Sequence, residues 1–302
     1  MARSVLSRYL DPDVLTHVAS RHIEPKNLVI GNLAGAHKSP LSGFAVEFAG
    51  HREYVPGDDP KHVDWRVYFT REKYFVKQYE LETNFVCHLV LDISASMRYG
   101  DGVQQKLFYA SQLAVALGYS IVRQSDKVSL FTFDDRLRGS VPPGNSLAQI
   151  LRMTEVLDQT QPVEKTSLAE CLGQIAGRLG RREIVLIISD FFADVAELEP
   201  VLQRLRYSRH EVVLLHVLHH DELAFELDGM VKFVGLEVSE ELLAQTDDLR
   251  RGYLQALREQ HERLEEIVHR NGCERVLIDT SLPLSDQLLA YLNRRSMLAR
   301  GR

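Results

Sequence analysis

Cysteine is scarce in this 302-residue chain: Cys87, Cys171 and Cys273 stand far apart and form no Cys-x-x-Cys pair. Three cannot all pair within one chain, and their spacing argues against a zinc site. Each lies in an apolar or helical stretch, which reads as a reduced, buried small residue suited to a reducing compartment. Charge of one sign is also lacking. The 36 Lys and Arg stand against 42 Asp and Glu, a net −6, so no basic field suited to nucleic acid covers the surface. No uncharged apolar run approaches the ~20 residues of a membrane span. Residues 1–10 have no signal-peptide core, so a cytoplasmic location is expected. No Gly-x-x-x-x-Gly-Lys-Ser/Thr loop is present, so any ATPase activity belongs to a partner, and there is no His-Glu-x-x-His.

What remains is globular composition, 45% hydrophobic and 26% charged, with room for one large domain or two smaller ones. The texture changes near residue 84. Residues 1–83 are irregular, an extension with some helix and some strand. Asp11-Pro12 starts a helix, with Asp11 as cap and Pro12 at the first helical position. The run Tyr74 to Tyr79 reads as a strand. Residues 84–302 alternate strand and helix. Strands are expected over Phe85–Leu91, Lys127–Phe133, Glu183–Ser189, Glu211–Leu218 and Arg275–Asp279, as near-continuous apolar runs typical of buried parallel strands. Helices are expected over Gln104–Val122, Ser146–Leu157, Leu168–Leu179, Val195–Leu205, from about Ser239 to Arg270, and over Leu284–Arg294. Such alternation predicts an α/β fold: a doubly wound, mostly parallel sheet flanked by helices, Rossmann-type in its winding.

In open sheets of this kind ligands bind beyond the carboxyl ends of the strands, at the switch point. The first strand ends in Asp92-Ile93-Ser94-Ala95-Ser96 and the Glu183–Ser189 strand ends in Asp190. Between them, Thr166 opens a helix. Asp92, Ser94, Ser96, Thr166 and Asp190 are all oxygen donors, which suits a hard cation: Mg2+ first, with Mn2+ or Ca2+ also accommodated. Past a strand end, alternate side chains can converge on one point, and short side chains keep an ion close to the loop. With only two carboxylates in the set, an ion keeps positive character and is open to a carboxylate from another molecule. The bland alternative is that Asp92 and the serines only cap the turn.

These five residues resemble the metal-ion-dependent adhesion site (MIDAS) of von Willebrand factor A domains, Asp-x-Ser-x-Ser followed by Thr and Asp. Many members have Asp-Gly at the last position. This chain has Ser189-Asp190-Phe191-Phe192, the form the resemblance implies for one bacterial branch. Upstream, residues 43–48, Arg52-Glu53-Tyr54-Val55-Pro56-Gly57-Asp58-Asp59 and Val63-Asp64-Trp65 resemble the signature of the family called domain of unknown function 58, with Lys61 where Arg is usual. The resemblance implies a von Willebrand factor A-like fold and a soluble adaptor or co-chaperone for a MoxR-type AAA+ ATPase, or for another protein that offers a carboxylate to the metal. Non-enzymatic binding is the expectation. Metal-dependent hydrolase or nuclease activity at the same site is the alternative.

Other residues take plainer expectations. Gly57-Asp58-Asp59-Pro60 is a turn by its chemistry. Trp65 is expected to anchor its segment by burial, and Arg52 is expected to pair with Asp64. His216, His219 and His220 read as core or solvated histidines. Arg294, Arg295, Arg300 and Arg302 read as a helix-end charge complement or a solvated tail. The leucines from Leu242 to Leu264 read as the packed stripe of one helix.

Overall fold

The computed structural model describes residues 5–18, 21, 23–25, 34–38, 47–58, 60–80, 82–83, 85–160, 167–236 and 241–300; for some of these the backbone alone is described. Two units group by their contacts: Met1–Lys26 with Val86–Arg302, and Asn27–Phe85.

The larger unit is built on a six-stranded sheet: β1 (Val86–Asp92), β2 (Lys127–Phe133), β3 (Leu137–Gly144), β4 (Ile184–Ser189), β5 (Glu211–Leu218) and β6 (Glu274–Asp279). The order is β6-β5-β4-β1-β2-β3, parallel throughout except for the antiparallel β2–β3 pair. The central strands have no exposed face. All six residues of β4 and all eight of β5 are buried, which is why they read as runs of Ile, Val and Leu, broken in β5 only by His216. Six principal helices accompany them: α1 (Lys106–Arg123), α2 (Leu147–Asp158), α3 (Leu168–Ala176), α4 (Val195–Tyr207), α5 (Thr246–Arg270) and α6 (Leu284–Arg300). On one face Leu172, Leu202 and Leu264 of α3, α4 and α5 close over Val90, Ile187 and Leu214. On the other, α1 lies against β1, β2, β4 and β5, with α2 and α6 beside it. This is the doubly wound α/β sheet expected, and its order reverses between β1 and β4.

The first 26 residues group with this sheet unit, not with the rest of the extension. The helix at Pro12–Val18 starts as expected, with the Asp13 amide donating to Asp11 Oδ1 at 2.9 Å. Ile23 is fully buried, and the side-chain amide of Gln124 pairs with its backbone on both sides.

Two elements depart from expectation. Strand β3 was not anticipated, because Pro142 and Pro143 sit within it. It is the edge strand of the sheet, where missing amides are tolerated. The helix expected from Ser239 starts at Thr246. Before it, Glu241–Gln245 pairs antiparallel with Met230–Val234. Thr246 pins the junction, its amide and hydroxyl both donating to the Gly229 carbonyl. Leu242 and Leu243 therefore lie on a hairpin, 54% and 67% exposed, while Leu257 and Leu264 of α5 are buried. The segment is rich in helix formers, and strand pairing overrides that weak preference.

In the smaller unit, Glu47–Glu53 pairs antiparallel with Phe75–Glu80, and Ala34–Lys38 with Glu82–Thr83. A short helix, Trp65–Arg71, is capped by Asp64, whose Oδ1 accepts from the Arg66 amide at 3.0 Å. Gly57 has φ 112°, the positive value that its turn requires. The expected Arg52–Asp64 pair is not formed: Arg52 binds Asp58 at 2.7 Å and His51 binds Asp64 at 2.8 Å. Asp58 also accepts the Val55 amide, so the turn ties itself together locally. Trp65 is 53% exposed, touching Tyr68 and Tyr74 edge-on, and is not buried as expected. Among the described residues no helix is long and apolar enough to cross a membrane.

Candidate functional site

Strand β1 delivers Asp92 to its carboxyl end, and the Ile93 amide still bonds the Phe133 carbonyl of β2 at 2.8 Å. The chain then turns. The Ser94 amide donates to Asp92 Oδ1 at 2.9 Å, a short 3-10 turn spans Ala95–Arg98, and the Ser94 and Ser96 hydroxyls lie 3.1 Å apart. The local Asx bond is what lets alternate side chains face one point. From β4, the Ser189 hydroxyl donates to Asp92 Oδ2 at 2.7 Å and accepts the Phe191 amide at 3.0 Å. Asp190 follows. Phe191 is left-handed at φ 50° and buried in the core, with its carbonyl held by Gln260 of α5 at 2.8 Å. That strained, well-anchored residue turns the chain so that Asp190 and Phe192 face the cleft.

Asp92, Ser94, Ser96 and Asp190 are thus brought together. Asp92, Ser94 and Asp190 are buried and Ser96 is half-buried; Asp92, Ser96 and Asp190 line a small cleft with Leu168, Ser189 and Phe192. Thr166 lies outside the described residues. The Ser167 amide bonds the Asp134 carbonyl at 3.0 Å, and Leu168 opens α3 at the cleft.

The sequence reading missed Lys106. Its side chain is fully buried, and its ammonium lies 2.8 Å from Asp190 Oδ2 and 2.7 Å from Glu222 Oε1, with the Phe192 ring centred 5.0 Å away. Glu222 belongs to a short helix, His220–Ala224, after β5, and its second oxygen accepts the His219 amide at 2.8 Å. One signal was available. Lys106 opens an eighteen-residue helix that carries no other charge before Arg123. A cation at a helix N-terminus is opposed by the helix dipole, so a buried one there needs dedicated carboxylates.

The cluster therefore holds three carboxylates, the buried Asp92 and Asp190 and the half-buried Glu222, against one buried ammonium. If all are ionised it is two negative charges in excess, which a divalent cation would balance. Burial first, and then the Asp190 charge, push the Asp92 carboxyl up to about 7. Burial also raises Glu222, although Lys106 opposes it. Burial pulls Lys106 downward, but Asp190 and Glu222 outweigh it and hold the ammonium firmly protonated. Among the described residues no three His, Cys, Asp and Glu side chains gather into a metal site by themselves. The donor set here is instead two carboxylates completed by hydroxyls, which suits a hard cation that keeps several waters.

The other candidate residues have structural roles. His219 caps the short helix and His220 meets Asp279. His216 is buried, accepting from Arg275 at 3.0 Å, and burial lowers its pKa well below the usual value. Arg295 is not a solvated tail residue. It is 1% exposed and forms an ion pair with Glu211 at 2.6 Å. Ser129, His88 and Glu183 form a hydrogen-bonded chain of 2.6 and 2.9 Å. It lies toward the amino ends of the strands, away from the cleft, and Ser129 is wholly buried, so it ties strands together without access to substrate. Cys87, Cys171 and Cys273 are all free thiols.

Comparison with known proteins places this arrangement in a family. The uncharacterized proteins Rv1480 of Mycobacterium tuberculosis (strain ATCC 25618 / H37Rv) and Mb1516 of Mycobacterium bovis are each 25% identical to it over 211 residues, 69% of this chain and 66% of theirs. The chain thus spans slightly less than two thirds of the length of these relatives. Among solved structures, BatB from Bacteroides thetaiotaomicron is similar over 72% of this chain and 100% of its own, at 15% identity and a TM-score of 0.46. The SpRpn10 VWA domain is similar over 68% of this chain and 94% of its own, at 14% identity and a TM-score of 0.39. The fold assignment rests on the sheet order of this chain itself. The sequence model described as "Protein of unknown function DUF58" matches residues 50–263, a span that includes the Arg52–Trp65 segment, Asp92 to Ser96 and Asp190, and the chain belongs to that family.

Proposed function

We propose that this chain is a non-enzymatic protein-binding module whose recognition site is the switch-point cleft, completed by a divalent cation. The observation that carries this reading is the pair of buried carboxylates, Asp92 and Asp190, that line the cleft beside the Ser96 and Ser189 hydroxyls, with the Lys106 ammonium bridging Asp190 to Glu222. Asp92, Ser94, Ser96 and Asp190 would hold the ion, with Thr166 as the fifth residue the resemblance implies. Mg2+ is the first choice, and Mn2+ or Ca2+ also suits oxygen donors. A bound ion would supply a positively charged position open to a carboxylate of another protein. The chain's own residues shape that position. Ser189 and the Ser94 amide orient Asp92, Phe191 turns Asp190 inward, and Phe192 forms an apolar lip. The partner class that the family resemblance favours is a MoxR-type AAA+ ATPase in the cytoplasm, with this chain as adaptor or co-chaperone.

Calorimetric titration of Mn2+ and Mg2+ into the wild type and Asp92→Ala tests the site, beside a pull-down of a purified MoxR-type ATPase with Mg2+ or with chelator. Saturable binding lost in the variant, and capture only with Mg2+, are expected. Capture that survives both chelation and Asp92→Ala removes the metal from the function. Metal-dependent turnover of phosphodiester or peptide substrates, lost in Asp190→Ala, establishes hydrolysis instead.

A further inference from the structure

Lys106 reaches the candidate metal site from outside the set of residues read as ligands. Its ammonium occupies one oxygen of Asp190 and, 2.7 Å away on its other side, Glu222. The arrangement is fixed from several directions. The Lys106 amide bonds the Tyr99 carbonyl at 3.0 Å and places the residue at the head of α1. Glu222 is held through its second oxygen by the His219 amide, and its carbonyl accepts from Tyr253 of α5 at 3.0 Å. The Phe192 ring lies 5.0 Å from the ammonium. An ammonium so placed does two things to a divalent ion held by Asp190. It leaves Asp190 with one oxygen to offer, and it sets a like charge, itself wholly buried, 2.8 Å from that carboxylate, where solvent screens little.

We propose that Lys106 is an internal competitor of the divalent cation for Asp190, and that Glu222 sets the strength of that competition by drawing the ammonium away from Asp190. In consequence the ion is held weakly until a carboxylate from another molecule completes its shell. This inference rests on the metal reading of the cleft and adds to it two positioning residues that need not touch the ion.

The test is the affinity for Mn2+ alone, by calorimetry, of the full chain and three variants, with circular dichroism in chelator to verify folding. Competition predicts opposite signs. Lys106→Met removes the rival charge and tightens Mn2+ binding at least tenfold. Glu222→Gln leaves the ammonium to Asp190 alone and weakens binding at least threefold. Lys106→Met takes the ammonium from the buried Asp190 and the half-buried Glu222, so the double variant Lys106→Met/Glu222→Gln, with the wild-type net charge, guards against misfolding; it should bind at least threefold tighter than wild type. A purely structural bridge moves both single variants the same way or not at all. Folded lysine-free variants that bind Mn2+ no tighter than wild type overturn the role of Lys106 while leaving the metal site standing. Absence of Mn2+ binding in the wild type and every variant overturns the metal reading itself, and this inference with it.

Discussion

Asp92 is the group for which the structure makes the most quantitative demand. Its carboxyl is buried, accepts from the Ser94 amide and the Ser189 hydroxyl, and is pushed up to about 7 by burial and then by Asp190, from an ordinary 3.8. A carboxyl whose folded pKa lies above its unfolded value binds more protons folded than unfolded. Folding stability therefore falls as pH rises from about 4 to about 7, and levels off above that. Between pH 5 and 7 the slope from this one group averages about 1 kcal/mol per pH unit and fades above pH 7, and the full span corresponds to about 4 kcal/mol. Asp92→Asn removes the titration. Asparagine keeps an acceptor for the Ser94 amide, and its amide can donate to the Ser189 hydroxyl in reverse, at a cost of about 1 kcal/mol. The assay is urea unfolding of wild type and Asp92→Asn in chelator from pH 5 to 8. The stability of the variant relative to wild type should rise by about 2–3 kcal/mol over that range, leaving the variant the more stable at pH 8. Saturating Mg2+ should abolish the trend in wild type and leave the variant unmoved. Equal pH slopes in the two proteins, or a variant less stable at pH 8, would refute the claim that Asp92 bears an uncompensated buried charge.

The remaining predictions concern the framework. Arg295→Ala breaks the buried Arg295–Glu211 pair beneath α6 and should lower stability by about 3–5 kcal/mol in urea unfolding; a loss below about 1 kcal/mol would show that the pair is solvated. Leu264→Ala, in the core, should cost about 2–5 kcal/mol, whereas Leu243→Ser on the hairpin should stay within about 0.5 kcal/mol, and equal losses would restore the single long helix. Trp65 is the sole tryptophan and is half exposed, so native fluorescence should be red-shifted and readily quenched by acrylamide. A blue-shifted, protected signal would contradict its exposure.

The parallel strands were legible because burial on both faces leaves no polar alternation. The runs at Lys127–Phe133 and Glu211–Leu218 matched the structure residue for residue. The cap at Asp11 and the turn at Gly57 were legible because each is a local contest between one side chain and its own backbone. Strand β3 was not, since its prolines disqualify it everywhere except at an edge, and which strand lies at an edge is a property of the whole sheet. The hairpin before α5 was not, because its leucines satisfy a helical stripe as well as a strand. Arg52 and Asp64 each found a partner other than the one expected, because charge alone names candidates for pairing and backbone geometry selects among them.

The candidate site divides in the same way. The residues at the ends of β1 and β4 are determined by the sequence, since the carboxyl ends of neighbouring parallel strands converge wherever such a sheet reverses its winding. Lys106 and Glu222 lie 84 residues before and 32 after Asp190 in chain order, and nothing in their local sequence links them. Only folding α1 and the helix after β5 against the same strand ends brings an ammonium between two carboxylates. The sequence by itself set Asp92, Ser96 and Asp190 at the strand ends that line the cleft; the tertiary structure decided the charge they face, because a buried charge is compensated by whatever the fold places within 3 Å of it.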